Sequence, residues 1–256
     1  MKVYYFVILV CAFIAGSVSA ANPQVTLHVT GVDANDLPFE GDIVLELYPD
    51  KAPVTVENFI NYVQTGFYDG LIFHRIYHQN ISIVQSGGFD RDMNFKETDS
   101  LIVNESYNGL LNLRGTISMA RLSDPDSASS QFFFNQADNP GLDIGDYQVY
   151  YEYYMGNFYP ITAKVPGYAV FGQVISGMDL VDTIAAIPTA EVDVPDIGVL
   201  KDVPVNDIVI ESAVLSTPVC LEKLPGDIDG DCDVDLADFA KLAANWLECN
   251  AINDCQ

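Results

Sequence analysis

The sequence predicts a mainly β protein: a closed, mainly antiparallel barrel of short strands with two helices covering its ends, followed by a small cation-binding loop-helix module. Three observations carry that expectation. Short apolar-polar alternations recur along the chain, separated by Gly, Pro and Asp turns. Only two stretches of the large domain keep helical spacing. Beyond Ser216 the composition changes, as cysteines appear and aspartate becomes dense.

The first twenty residues are set apart before any fold reasoning. Lys2 precedes an apolar run from Val3 to Ala15, and Val18-Ser19-Ala20 fits small-residue cleavage rules. This reads as a secretory signal peptide, residues 1–20, whose apolar run is short for a bilayer span. No later stretch is apolar enough to span a membrane, so no membrane association is expected after cleavage. Cys11 would leave with the leader. Cys220, Cys232, Cys249 and Cys255 remain, an even number in an exported chain, which suggests two disulfides of open connectivity confined to the tail.

Val25 to Val29 alternates as a strand, and Asp33 to Pro38 is turn material. Ile43 to Tyr48 reads as the next strand. Val56, Phe59, Ile60 and Val63 then recur at helical spacing, with Gly66 as the C-terminal stop. Further strands are expected at Leu71 to Ile76, Ile81 to Gln85, Gly115 to Ala120, Gln131 to Asn135 and Tyr168 to Val174. Ser176 is placed to cap a second helix through Met178, Val181 and Ile184, and Ile208 to Ile210 closes the series. The tyrosine-rich segment Asp143 to Pro166 lacks clean periodicity. It is an aromatic hairpin or a long ordered loop, read as a surface insertion in preference to a lip over a substrate site.

Of 256 residues, 49% are hydrophobic and 18% charged, enough for a substantial core. With 36 Asp+Glu against 11 Lys+Arg the formal charge is -25, a surface that repels nucleic acid and anionic lipid.

One ordered set of motifs goes beyond patterning. Ala52 to Phe59 and Gly66-Phe67-Tyr68-Asp69-Gly70 precede Phe73-His74-Arg75-Ile76; then follow Gln85-Ser86-Gly87-Gly88-Phe89 and Asn104-Glu105. Gly115 to Arg121, Ser130 to Asn135, Leu142-Asp143 and Gly167 to Gly172 complete it. Over residues 25–215 this set resembles the cyclophilins, and their bacterial branch most. The resemblance implies an eight-stranded barrel with two capping helices, an outer peptide groove, and peptidyl-prolyl cis/trans isomerase activity on proline-containing polypeptides. No cofactor is implied for catalysis. By the same resemblance Arg75 matches the catalytic arginine, and Gln85 the glutamine that bonds substrate backbone. Phe133, Ile83 and Leu142 match the proline pocket, Ala120 lies beside the groove, and Tyr168 is the bacterial alternative to a histidine there. His74 reads as structural, Gln131 as a residue satisfying backbone groups, and most of Phe132-Phe133-Phe134 as core.

The chain also departs from the family. Nine residues, Ile76 to Val84, separate Arg75 from Gln85, two more than the family pattern. Counting back from Gln85, the pocket phenylalanine falls on Ser82, with Ile81 the other candidate, so an aromatic wall is lost and reduced activity is expected. Gly141 stands where many eukaryotic members have tryptophan, which implies weak binding of cyclosporin-like ligands.

A linker is expected at 216–225 and a second module at 226–256. Asp227, Asp229, Asp231, Asp235 and Asp238 fall at loop positions 1, 3, 5, 9 and 12 of an EF-hand-like pattern, with Asp233 offering its carbonyl. Hard oxygen ligands at this spacing point to Ca2+. Cys232 replaces the usual glycine, and Leu236, Phe239, Ala240, Ala243 and Leu247 follow as an amphipathic helix. The segment resembles one repeat of a type I dockerin, which implies a cohesin-like docking partner, although a full dockerin has two repeats. The expected function is therefore isomerisation of X-Pro bonds in exported proteins. The alternative is a non-catalytic proline-peptide binder displayed through its tail.

Overall fold

The computed structural model describes residues 22–216, apart from 146, 155, 156 and 196; of 147–154 and 157–163 it describes the backbone alone. The expected leader at 1–20 and the acidic module at 226–256, with its aspartates, cysteines and helix, lie outside these residues.

The chain begins with β1 (Gln24–Val32) and β2 (Pro38–Leu47), joined by a turn that Asp33 closes by accepting from the backbone N–H of Asn35 and Leu37. Both strands alternate as written: Val25, Leu27, Val29, Ile43, Leu45 and Leu47 are fully buried, while Thr26, His28 and Thr30 face out. Helix α1 (Pro53–Gln64) follows, burying Val56, Phe59, Ile60, Tyr62 and Val63 along one face. Its first turn is held by Glu105, whose carboxylate accepts from the N–H groups of Val54 and Thr55 at 3.2 and 2.8 Å and from Thr55 Oγ1 at 2.6 Å. Its end is the expected glycine stop. Gly66 has φ +65, its N–H reaches Val63 O, and the Phe67 N–H reaches Tyr62 O. The Tyr62 and Phe67 rings meet at 4.4 Å to finish the cap.

Next come β3 (Arg75–Tyr77), β4 (Ile83–Ser86), β5 (Thr116–Met119) and β6 (Phe132–Asn135), all short. The tyrosine-rich segment forms a separate hairpin of β7 (Tyr147–Tyr154) and β8 (Asn157–Lys164), the first of the two alternatives the sequence left open. After it lie β9 (Val170–Ser176), α2 (Met178–Ala185), β10 (Thr189–Val194), β11 (Gly198–Pro204) and β12 (Ile208–Leu215). Ser176 does not cap α2. It still pairs with Val44 in the ladder, and Gly177, at φ +87 with Asp42 O 2.2 Å from where a Cβ would stand, makes the turn into the helix instead.

The main sheet is eight-stranded, all antiparallel, in the order β12-β1-β2-β9-β5-β6-β4-β3. It curls into a half-barrel, not the closed barrel expected. The end strands β3 and β12 form no ladder with each other. The segment just before β3 spans part of the gap, through an Ile72–Val209 bridge and bonds linking Gly70, Leu71 and Phe73 to Ile210 and Ile208. A three-residue β3 is too short to supply a full seam. Both helices bury a face in the same core as the sheet's inner side, where Phe59 packs on Tyr68, Phe132 and Phe171 at 5.2 to 5.5 Å. Among the described residues, strands β10 and β11 pair only with each other; they were not foreseen, because 189–204 carries no clean alternation.

Candidate active site

The site is built on the outer face of β3, β4 and β6. Period-two alternation divides each strand between two surfaces. Ile76, Val84, Phe132 and Phe134 enter the core, while Phe133 and Ile83 join Leu142 in a separate apolar cluster. Register then aligns the polar groups. Arg75 stands opposite Gln85 across β3 and β4, and Gln85 stands opposite Phe133 across β4 and β6.

These residues share one cleft of about 290 Å³, lined by Arg75, Ile81, Ile83, Gln85, Ala120, Arg121, Leu122, Ser127, Ser129, Gln131, Phe133, Leu142 and Tyr168. All seven residues that the resemblance assigned to catalysis or substrate are among them. Leu142 arrives on a short 3-10 turn, Pro140–Leu142, whose carbonyl accepts from the Tyr168 N–H at 2.9 Å. The Tyr168 ring stands edge-on to Phe133 at 5.6 Å. Ala120 is held through its N–H to Gln131 O. Its small side chain leaves room beside the apolar floor.

The polar rim is ordered by side-chain bonds. Gln85 Nε2 donates to Gln131 Oε1 at 2.8 Å, and Gln85 Oε1 accepts no hydrogen bond among the described residues. Gln131 therefore fixes the rim and is more than a backbone satisfier. Arg75 is 40% exposed; its Cζ lies 5.0 Å from the Tyr77 ring centroid and its Nε 3.7 Å from Asp202 Oδ2. A second guanidinium, Arg121, lies 4.5 Å from the Tyr168 ring centroid and donates to the carbonyls of Leu122, Pro166 and Gly167. His74 is buried against Phe89, and its Nδ1 has no hydrogen-bond partner among the described residues; burial lowers its pKa to about 4, so it stays neutral behind the cleft.

The lost aromatic wall is relocated by one residue. Ser82 does not line the cleft: its Oγ donates to Gln136 Oε1 at 2.8 Å and sits 2.6 Å from His78 Nδ1, and its N–H reaches Asn139. Ile81 takes the place on the wall. The longer connection between β3 and β4 permits this, because its extra length is tied down to the 136–139 loop. Arg121 and Gln131 in the cleft, and Tyr77 and Asp202 beside Arg75, were not singled out from sequence as site residues. Tyr77 had a signal, lying two positions after Arg75 and hence on its face of the strand. Arg121 and Gln131 sit inside quoted motifs. Asp202 had none.

An apolar floor, an amide acceptor and a fixed guanidinium can bind an extended peptide and polarise one of its amides without making or breaking a σ-bond. An arrangement of that kind suits a conformational isomerase on a curled β scaffold. The family comparison agrees. Residues 31–215, well over half the chain, match the model of the cyclophilin type peptidyl-prolyl cis-trans isomerases. Peptidyl-prolyl cis-trans isomerase A of Dickeya dadantii is 47% identical over 173 residues, covering 68% of this chain and 78% of that one. Peptidyl-prolyl cis-trans isomerase B of Escherichia coli is 42% identical, covering 69% and 94%. A solved cyclophilin from Cryptosporidium parvum, crystallised in the presence of the dipeptide Ala-Pro, aligns at TM-score 0.51 over 75% of this chain and 99% of its own, sharing the fold at 23% identity. The chain belongs to the cyclophilin-type peptidyl-prolyl cis-trans isomerases.

Proposed function

We propose that Arg75 is the catalytic residue of this isomerase, and that Phe133, Ile83 and Leu142 seat the proline ring. Rotation about an X-Pro bond faces a barrier of about 18–20 kcal/mol, because the C–N bond is partly double. At the twisted transition state the prolyl nitrogen turns pyramidal and regains a lone pair. A guanidinium N–H aimed at that nitrogen stabilises the twisted form more than either planar one. Proline suits the floor, being apolar and lacking an N–H of its own. Gln85 Oε1 accepts from a neighbouring substrate N–H and fixes the register.

The observation that carries this reading is one cleft holding Arg75 together with the Phe133-Ile83-Leu142 floor and Gln85. Its test is a protease-free isomerisation assay on an X-Pro peptide. Arg75→Ala is expected to lower kcat by about a hundredfold, the usual cost of one transition-state donor, with peptide binding retained. An Arg75→Ala enzyme turning over at the parent rate sinks the assignment.

The clients are proteins outside the cytoplasm, a reading supported by the leader-like residues 1–20. The spacing of Asp227, Asp229, Asp231, Asp233, Asp235 and Asp238 supports Ca2+ binding in the tail and, with it, docking to a cohesin-like partner. Calorimetric titration with CaCl2 should show uptake that Asp227→Ala and Asp231→Ala each abolish; undiminished uptake in both variants counts against the site.

A further inference from the structure

We infer that Asp202, on a hairpin outside the cleft, is a positioning residue that holds Arg75 in its working orientation. The inference rests on the catalytic reading of Arg75 given above. Its geometry starts from an irregular strand. The β10–β11 ladder slips: Ala190 faces Val203, but Val192 faces Leu200, so Glu191 opposes both Lys201 and Asp202. One extra residue in a strand is a bulge, and bulges re-aim side chains. Leu200 packs on the cluster of Ile72, Phe89 and Val209, and Val203 is buried as well. Two inward residues three apart cannot occur on an unbroken strand, where faces alternate.

The residue absorbing that break is Asp202, at φ +60. Left-handed backbone is uncommon for a residue with a side chain, and Asp and Asn tolerate it best. The outcome is a carboxylate, only 26% exposed, with Oδ2 3.7 Å from Arg75 Nε. The hairpin's anchor, Ile72, lies three residues before Arg75, so both partners are built on one stretch of packing.

Arg75 is thus flanked twice, by the Tyr77 ring and by the Asp202 carboxylate. The carboxylate meets the Nε edge. Neither Nη forms a hydrogen bond among the described residues, so the outer edge of the fork is left for substrate. A long side chain with four rotatable bonds contributes to the rate only through the fraction of time it points correctly. Two anchors raise that fraction. The carboxylate also weakens the field of the guanidinium, but both groups touch solvent, which screens that opposing effect.

The test compares Asp202→Asn, Asp202→Gly and Asp202→Glu with the parent enzyme and Arg75→Ala. Kinetics on an X-Pro peptide are read beside thermal midpoints and the Arg75 Nε–Hε NMR signal. Asn keeps the shape and tolerates φ +60, and Gly removes any backbone strain, so neither should lower the midpoint by more than the loss of one partly exposed ion pair accounts for. Both should lower kcat roughly two- to fivefold at unchanged KM, the scale of one partly exposed ion pair. The Arg75 Nε–H signal should broaden and exchange faster, and Glu should recover part of the rate. A merely structural role for Asp202 would leave kcat and that signal untouched in the Gly variant. Parent-like kcat in Asn and Gly, with Arg75→Ala inactive, overturns the inference alone. A fully active Arg75→Ala overturns the catalytic reading beneath it.

Discussion

Single residues set the response to pH, and two histidines pull in opposite directions. His74 is buried, and its pKa falls from 6.5 to about 4 because burial disfavours the cation. Between those values the unfolded chain takes a proton that the folded one refuses. The stability is therefore whole above pH 6.5 and lost as pH falls toward 4, by about 3 kcal/mol in full. His28 has its pKa raised by its hydrogen bond to Asp42, 2.8 Å away, with Glu40 adding to the effect at 3.2 Å. Its contribution is present below 6.5 and fades as pH rises through the raised value. Urea unfolding at pH 7 and pH 4.5 should show a smaller acid loss in His74→Phe than in the parent. An equal loss would mean that His74 is charged in the folded state. The neutrality of His74 was not legible in sequence, where it was read only as structural: its Phe89 neighbour comes from a different segment.

At the scale of elements, the connection from β3 to β4 decides the shape of the groove. Residue counting put the missing aromatic at Ser82 first and Ile81 second, and the fold selects Ile81. The reason is tertiary: Ser82 is drawn to Gln136, His78 and Asn139, contacts no local pattern announces. Ile81→Phe should restore an aromatic wall and raise kcat/KM on X-Pro peptides by about threefold, since an aromatic contact of this kind adds about 0.5–1.5 kcal/mol. An unchanged or lower value would show that Ile81 is not the wall that limits turnover. Other elements were plain in the sequence. The strands β1 and β2 follow their alternation, and α1 stops where Gly66 predicts. The second helix shows the limit of that reading: Ser176 had the right chemistry for a cap, but the β9 ladder claimed it first.

For the whole molecule, charge dominates. A formal charge of -25 on 256 residues means that the compact state works against its own repulsion. Raising NaCl from about 0.02 to 0.3 M shortens the screening length to well under 10 Å. The thermal midpoint should rise with it; a midpoint that falls would show that local ion pairs, such as Arg114 with Asp182, outweigh the global term. The core itself carries none of this charge. It is one cluster shared by the inner faces of the sheet and by both helices.

The sequence by itself determined which residues face inward, where most strands and both helices lie, and the motif set that carries the family. The patterning depends on neighbours two to four positions apart and the motifs on residue identity and order, so both survive without coordinates. The seven assigned groove residues came from the family resemblance and not from alternation, and the fold brings all seven to one cleft. Only the tertiary structure decided that the sheet curls without a complete seam, that Ile81 rather than Ser82 lines the groove, and that Asp202 stands beside Arg75. Each of these rests on contacts between segments far apart in the chain, and alternation within one segment contains no information about which distant surface will meet it.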